Sequence, residues 1–279
     1  MSLILAMLAQ IGPFTTGATA PPPRPPAASR PGQPAPSAAP PPPKGRLQYC
    51  LEDATSSPVD AIDDAETWRD ASQGSAKAEP NLCLGSAHVR LEHWDEAEQA
   101  FLAGRDAAAE SDRAMRAKLG AMAGNAALAQ GAFERALTAL DLARRDAATA
   151  GDLRLSGEIA IDRARALVAL KRNDEAAAAL VEARTSAADN GLAWLLSATL
   201  SRRLGKLAAA QAQIATAAEL SPRDPEIGLE AGVIAMLAGN EAAARKSWQS
   251  AIDIAPGSVT AMAARGYLAQ LGPIPQTGP

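Results

Sequence analysis

Small and bulky residues recur along the C-terminal part of this chain at a fixed interval. Trp194, Ala198, Gly205, Ala210, Ile214, Ala217 and Pro222 stand at the same offsets as Gly228, Gly232, Gly239, Ala244, Trp248, Ala251 and Pro256, 34 residues later. A self-similar period of this length predicts a solenoid built from one supersecondary unit. The register continues upstream through Ala176, Ala136 and Ala97, with spacings of 39, 40, 34 and 34 residues between the anchor alanines. Each of these alanines falls where two helices are expected to cross, so a larger side chain would overpack the crossing. Gly131, Gly205 and Gly239 are placed to end a first helix in the left-handed conformation. A second helix follows with an acid in its first turn, such as Glu134, Asp174, Glu175 or Glu241. The two wider spacings carry five or six extra residues, expected as longer helices around 107–117 and 147–156.

Leu84-Gly85, then His88, then Ala97 and Phe101, together with a closing proline at Pro222 and Pro256, give the repeat a specific signature. The pattern resembles the tetratricopeptide repeat, with His88 where that family has tyrosine. The resemblance covers about 47–272, and the closing proline is missing from the three upstream repeats. It implies an all-α, right-handed α-solenoid of about five helix-turn-helix repeats. These are expected at 78–111, 117–150, 157–190, 191–224 and 225–258, after a degenerate repeat at 47–77 and before a capping helix at 259–272. Atypical terminal units suit a solenoid whose ends face water.

Composition agrees with an all-helical chain. Alanine supplies 68 of 279 residues, aromatics only 3%, and alternating strand patterns are almost absent. Acids and bases number 31 and 27 and are well mixed, which argues against a nucleic-acid footprint. Twelve of the 21 prolines fall between Pro21 and Pro43. Residues 21–46 are therefore expected as a disordered, extended Pro/Ala-rich linker, read as a plain tether or as a docking motif for a proline-recognising domain. Residues 1–20 hold an apolar run, Leu3 to Phe14, that is too short to span a bilayer. It has the length of a signal-peptide core, with small residues at Gly17, Ala18 and Ala20, although no Lys or Arg precedes it. The alternatives are a weak membrane anchor and a cytosolic tail. Residues 273–279 read as a tail.

Candidate chemistry is sparse. No nucleophile–base–orienter set and no phosphate-cradling glycine loop can be assembled, so neither catalysis nor a cofactor is expected. His88 and His93, five apart on one helix, would point about 140° away from each other, which disfavours zinc. Cys50 and Cys83 lie on equivalent helices of neighbouring repeats, where a disulfide could staple the degenerate unit in an oxidising compartment. The reduced alternative is two buried small hydrophobes. Trp68, Trp94, Trp194 and Trp248 fall at helix-packing offsets and read as core. The family register turns Arg90, Lys118, Asn125, Asp162, Arg165, Thr199, Arg202 and Glu230 towards a concave groove. Asp162 has the wrong sign for a complete carboxylate clamp, which leaves a mixed-charge groove for an acidic or extended peptide. Two readings of function remain open. One is an exported, periplasmic scaffold or assembly factor of the cell envelope; the other is a cytosolic adaptor or co-chaperone-like regulator.

Overall fold

The computed structural model describes residues 45–272. The expected linker up to residue 44, the N-terminal apolar run and the C-terminal tail lie outside these residues; Gly45 and Arg46, expected as the linker's end, cap and open the first helix. Thirteen α-helices and one 3-10 turn, Gly74–Lys77, make up the described chain, with no strand. The helices pair in order: α1 (Arg46–Ser56) with α2 (Pro58–Ala71), α3 (Ala78–Arg90) with α4 (Trp94–Ala107), and α5 (Arg113–Ala129) with α6 (Phe133–Ala150). Then come α7 (Leu153–Ala169) with α8 (Asn173–Ser186), α9 (Gly191–Arg203) with α10 (Leu207–Leu220), and α11 (Pro225–Leu237) with α12 (Glu241–Ile254). A last helix, α13 (Val259–Leu271), closes the series. Helices pack on their sequence neighbours throughout, as a solenoid requires.

Within the five pairs from α3–α4 to α11–α12 the turn is the same. Gly131, Gly205 and Gly239 adopt φ of 79°, 73° and 76°, and Glu92 and Lys171 are forced into the same left-handed position at 59° and 61°. The following N–H then reaches back to close the first helix, as in Ala132 N to Ala127 O at 2.8 Å and Arg172 N to Leu167 O at 2.8 Å. The equivalent bond, His93 N to His88 O at 3.0 Å, corrects the expectation for the histidines. They do not share a helix. The turn folds His93 back over the end of α3, and the two rings come within 5.8 Å.

Side-chain caps start most first helices. Asp112, Asp152, Asn190, Asp224 and Ser258 each accept a backbone N–H from the first turn, Met115, Leu155, Leu192, Glu226 and Ala261 respectively. Asp112 and Asp152 set the start of α5 and α7 at Arg113 and Leu153, four residues ahead of the expected 117 and 157. The extra length therefore goes into α5, α6 and α7, of 17, 18 and 17 residues. The stretch 107–117 is not one helix, because α4 stops at Ala107 and the Asp112 cap restarts the chain.

Bulk and small size alternate across each pair. An added methyl at Gly85 would overlap the ring of Phe101, at Gly124 the side chain of Leu140, and at Gly232 the indole of Trp248. Ala164 and Leu180, and likewise Ala198 and Ile214, occupy the same offsets inside shared buried clusters. The anchor alanines Ala97, Ala136, Ala176, Ala210 and Ala244 are all fully buried. Of the four tryptophans only Trp248 is fully buried, at 3% exposure. Trp68, Trp94 and Trp194 are half-buried, and Arg46 and Arg184 cover the rings of Trp68 and Trp194 at 4.6 and 4.9 Å.

The lengthened helices carry a buried charge cluster. Asp146 on α6 accepts hydrogen bonds from Arg105 Nη2 of α4 at 2.8 Å and Arg113 Nη1 of α5 at 2.9 Å. Arg116 lies 3.8 Å away and donates to the Arg105 and Ala108 carbonyls at the end of α4. Burial pushes the Asp146 carboxyl up, but the Arg113 and Arg105 hydrogen bonds and the charges of Arg105 and Arg116 outweigh it and hold it below its ordinary 3.8. A carboxyl lowered in the folded state adds stability above its unfolded value, and this is lost as pH falls through the folded one. Asp146→Ala is therefore expected to cost about 3–5 kcal/mol at pH 7, because three guanidiniums lose their counter-charge. In urea unfolding at a series of pH values, the gap to the parent should narrow as pH drops below 3.8. A gap that is constant across that range would remove the charge argument.

Candidate functional site on the concave face

First helices form the inner layer. α3 touches α5, α5 touches α7, α7 touches α9, α9 touches α11 and α11 touches α13, while successive second helices make no comparable contact. The row of first helices is thus the tighter, concave side. It is lined by one face of each first helix, the face opposite neither its own partner nor the preceding pair.

The residues expected from the sequence all lie on first helices and fall into two clusters and three separate positions. Asn125 of α5 and Arg165 of α7 converge on Asp162 of α7, with Arg165 Nη1 donating to Asp162 Oδ1 at 2.8 Å. Burial raises the Asp162 carboxyl, and the Arg165 charge and the Asn125 and Arg165 hydrogen bonds oppose it. Arg202 of α9 grips Glu230 of α11 in a two-point contact, Nε to Oε1 at 2.6 Å and Nη2 to Oε2 at 3.2 Å. Both side chains are nearly buried, at 12% and 13% exposure. Arg202 and Arg165 are therefore already bound to internal acids. Arg90 at the end of α3 and Lys118 on α5 are exposed, and Thr199 on α9 is half-buried. These three are not drawn into either cluster.

Three features of the first helices escape a sequence reading that follows charge alone. Arg203 follows Arg202 on α9 and is exposed; partial desolvation lowers its guanidinium, the Arg202 charge adds to this, and Glu230 opposes it. Glu226 at the start of α11 is raised by burial and by Asp224, against the pull of Arg165. The third is a change of character along the groove. The offset that holds Arg202 and Arg203 on α9 holds Met236 and Leu237 on α11, and these are exposed at 37% and 59%. The 34-residue period was the available signal: carrying Arg202 and Arg203 forward one repeat lands on this apolar shelf.

Cys50 of α1 and Cys83 of α3 are joined by a disulfide, Cα to Cα 5.9 Å. The bond ties the degenerate first pair to the next one, inside a cluster that also holds Ala54, Ala61, Ala65, Leu84 and Ala87. Among the described residues no group of three or more His, Cys, Asp or Glu could hold a metal ion, and no helix is long and apolar enough to cross a membrane.

No protein-family model and no curated protein matches the chain. Solved structures do. BtubC (BKLC) from P. vanneervenii superposes with a TM-score of 0.60 at 15% identity, over 85% of this chain and 97% of that one. PilF of Pseudomonas aeruginosa gives 0.56 at 12% identity, over 79% and 99%. A thermophilic TPR protein of Thermus thermophilus gives 0.52 at 18% identity, over 69% and 97%. The chain has the tetratricopeptide-repeat fold.

Because Arg202 and Glu230 are nearly buried and bound to each other, Arg202→Met alone should strand Glu230 and cost about 3–5 kcal/mol in thermal or urea unfolding. Arg202→Met combined with Glu230→Leu should recover most of that loss. Additive losses in the double variant would mean that the two side chains act separately.

Proposed function

We propose that this chain is a non-catalytic interaction scaffold of the bacterial cell envelope that holds a peptide or protein segment along its concave face. The observation that carries the reading is the groove surface itself. Exposed Arg90 and Lys118 lie towards one end, cationic Arg203 and half-buried Thr199 follow, and apolar Met236 and Leu237 lie beyond them. Such a surface suits an extended segment with acids towards one end and an apolar anchor at the other. Arg165 and Arg202 contribute shape and positive edges more than free charge, since their acids are built in.

Selection of peptides against the full chain tests this reading. Lys118→Glu and Thr199→Glu should each weaken the selected ligand by about tenfold or more with an unchanged melting temperature. Ala218→Arg, on the exposed face of α10, should leave binding alone. Equal losses from all three, or from none, would move binding off the groove.

Export is supported by the Cys50–Cys83 disulfide, because such bonds persist in oxidising compartments and are rare in the cytosol. The apolar run Leu3 to Phe14 supports it too. Protein recovered from its native source without reductant should have lost about 18–20 residues from the N-terminus and should show no alkylatable thiol. Cys50→Ser is expected to cost roughly 3–4 kcal/mol on the chain-entropy account, for a closed loop of about 34 residues. The resulting loss of hydrogen-exchange protection should be confined to 46–72. Intact N-termini with two reactive thiols would favour the cytosolic adaptor instead.

A further inference from the structure

Each first helix from α3 to α11 lays one face against its own second helix. α13 is a first helix with no second helix among the described residues. Val259, Met262, Gly266 and Ala269 stand 34 residues after Pro225, Gly228, Gly232 and Ala235, so they form the face that receives a partner in every other pair. On α11 a methyl added to Gly232 would meet Trp248, and one added to Gly228 would meet Ala251. On α13 a methyl added to Gly266 meets nothing within 4 Å. Val259 and Met262 are 54% and 58% exposed, and Gly266 and Ala269 are exposed beside them. The opposite face of α13 is fully engaged: Ala261 and Ala264 are buried, and Tyr267 stacks on Trp248 at 5.0 Å.

We propose that this face binds the same face of a second copy of the chain, about a two-fold axis that sets the two α13 helices antiparallel. The face continues the interface by which every helix pair in the solenoid is held, and its shape selects the occupant. Its two bulky residues lie in the N-terminal half and its two small ones in the C-terminal half. Antiparallel pairing centred on Ala264 sets Met262 of one copy against Gly266 of the other, and Val259 against Ala269. Each copy thus supplies the bulky side chain that Phe101, Leu140 or Trp248 supplies within the chain. A parallel pairing would set Met262 on Met262 and leave a hole at Gly266. The stripe carries no charge; Arg265 lies off it and donates to the Pro256 carbonyl at 2.9 Å. The two-fold makes the contact self-complementary and closed, so it ends at a dimer. One helix face of about 20 Å is a small interface, which makes the dimer weak and reversible. The groove residues lie on a different face of the inner layer and stay open in the dimer.

Sedimentation velocity of the full chain, over roughly 5–500 µM to bracket a weak interface, tests the assignment. The parent should show a concentration-dependent monomer–dimer equilibrium. Met262→Asp should hold the chain monomeric with unchanged helical circular dichroism. Gly266→Met, which sets bulk against bulk, should weaken dimerisation by about tenfold or more. The exchanged variant, Met262→Gly with Gly266→Met, restores a bulky residue opposite a small one and should dimerise within a few-fold of the parent. A parent that stays monomeric throughout would overturn the proposal and leave the face to residues 273–279 or to another protein. So would a dimer indifferent to Met262→Asp, or an exchanged variant no better than Gly266→Met alone.

Discussion

The packing of Phe101 over Gly85, Leu140 over Gly124 and Trp248 over Gly232 sets how closely the two helices of a pair approach. Sixteen residues separate the members of each of these pairs, and the same offset joins Ala164 to Leu180 and Ala198 to Ile214. The anchor alanines can be fully buried only because this seat brings the helices together. Once they are together, the left-handed turn fixes the angle of the hairpin and the next first helix docks on the outside of the pair. The inner layer of first helices, and the groove it lines, follow from repeating that unit. So does the open face of α13, where the seat exists and its knob is missing.

Much of this was legible in the chain because it depends on size, and size repeats. The anchor alanines, the turn glycines and the 34-residue spacing specify a helical solenoid without knowledge of any contact. The starts of α5 and α7 were misplaced for a different reason. They are set by Asp112 and Asp152, whose side chains cap the first turn, and an anchor-alanine register carries no information about caps. An Asp placed before an apolar-periodic stretch was the missed signal. The relation of His88 to His93 is hidden in the sequence because the turn between them is made by Glu92, a left-handed residue that is not glycine.

The groove was legible only by position. Sequence register places Arg165 and Arg202 on the inner layer, but whether an arginine there is available to a ligand depends on acids from other helices. Asp162 is close in sequence to Arg165, and its pairing could be anticipated from a three-residue spacing on one helix. Glu230 reaches Arg202 from the next repeat, across 28 residues. Such pairings shift the weight of the groove towards residues that carry no internal partner in either cluster: Arg90, Lys118, Thr199, and the apolar shelf of Met236 and Leu237. The buried Asp146 cluster shows the same principle on the lengthened helices, where the extra turns bring Arg113 within reach of α6.

A double-mutant cycle on one seat tests the central claim most directly. Gly232→Ala adds a methyl where the Trp248 indole lies and should cost about 1–3 kcal/mol in urea unfolding, in spite of alanine's better helix propensity. Gly232→Ala combined with Trp248→Ile recreates the Ala198–Ile214 pair of the preceding repeat and should be more stable than the sum of the two single changes by a comparable amount. Strictly additive losses, or a Gly232→Ala variant more stable than the parent, would show that small-against-large seating does not hold these pairs together.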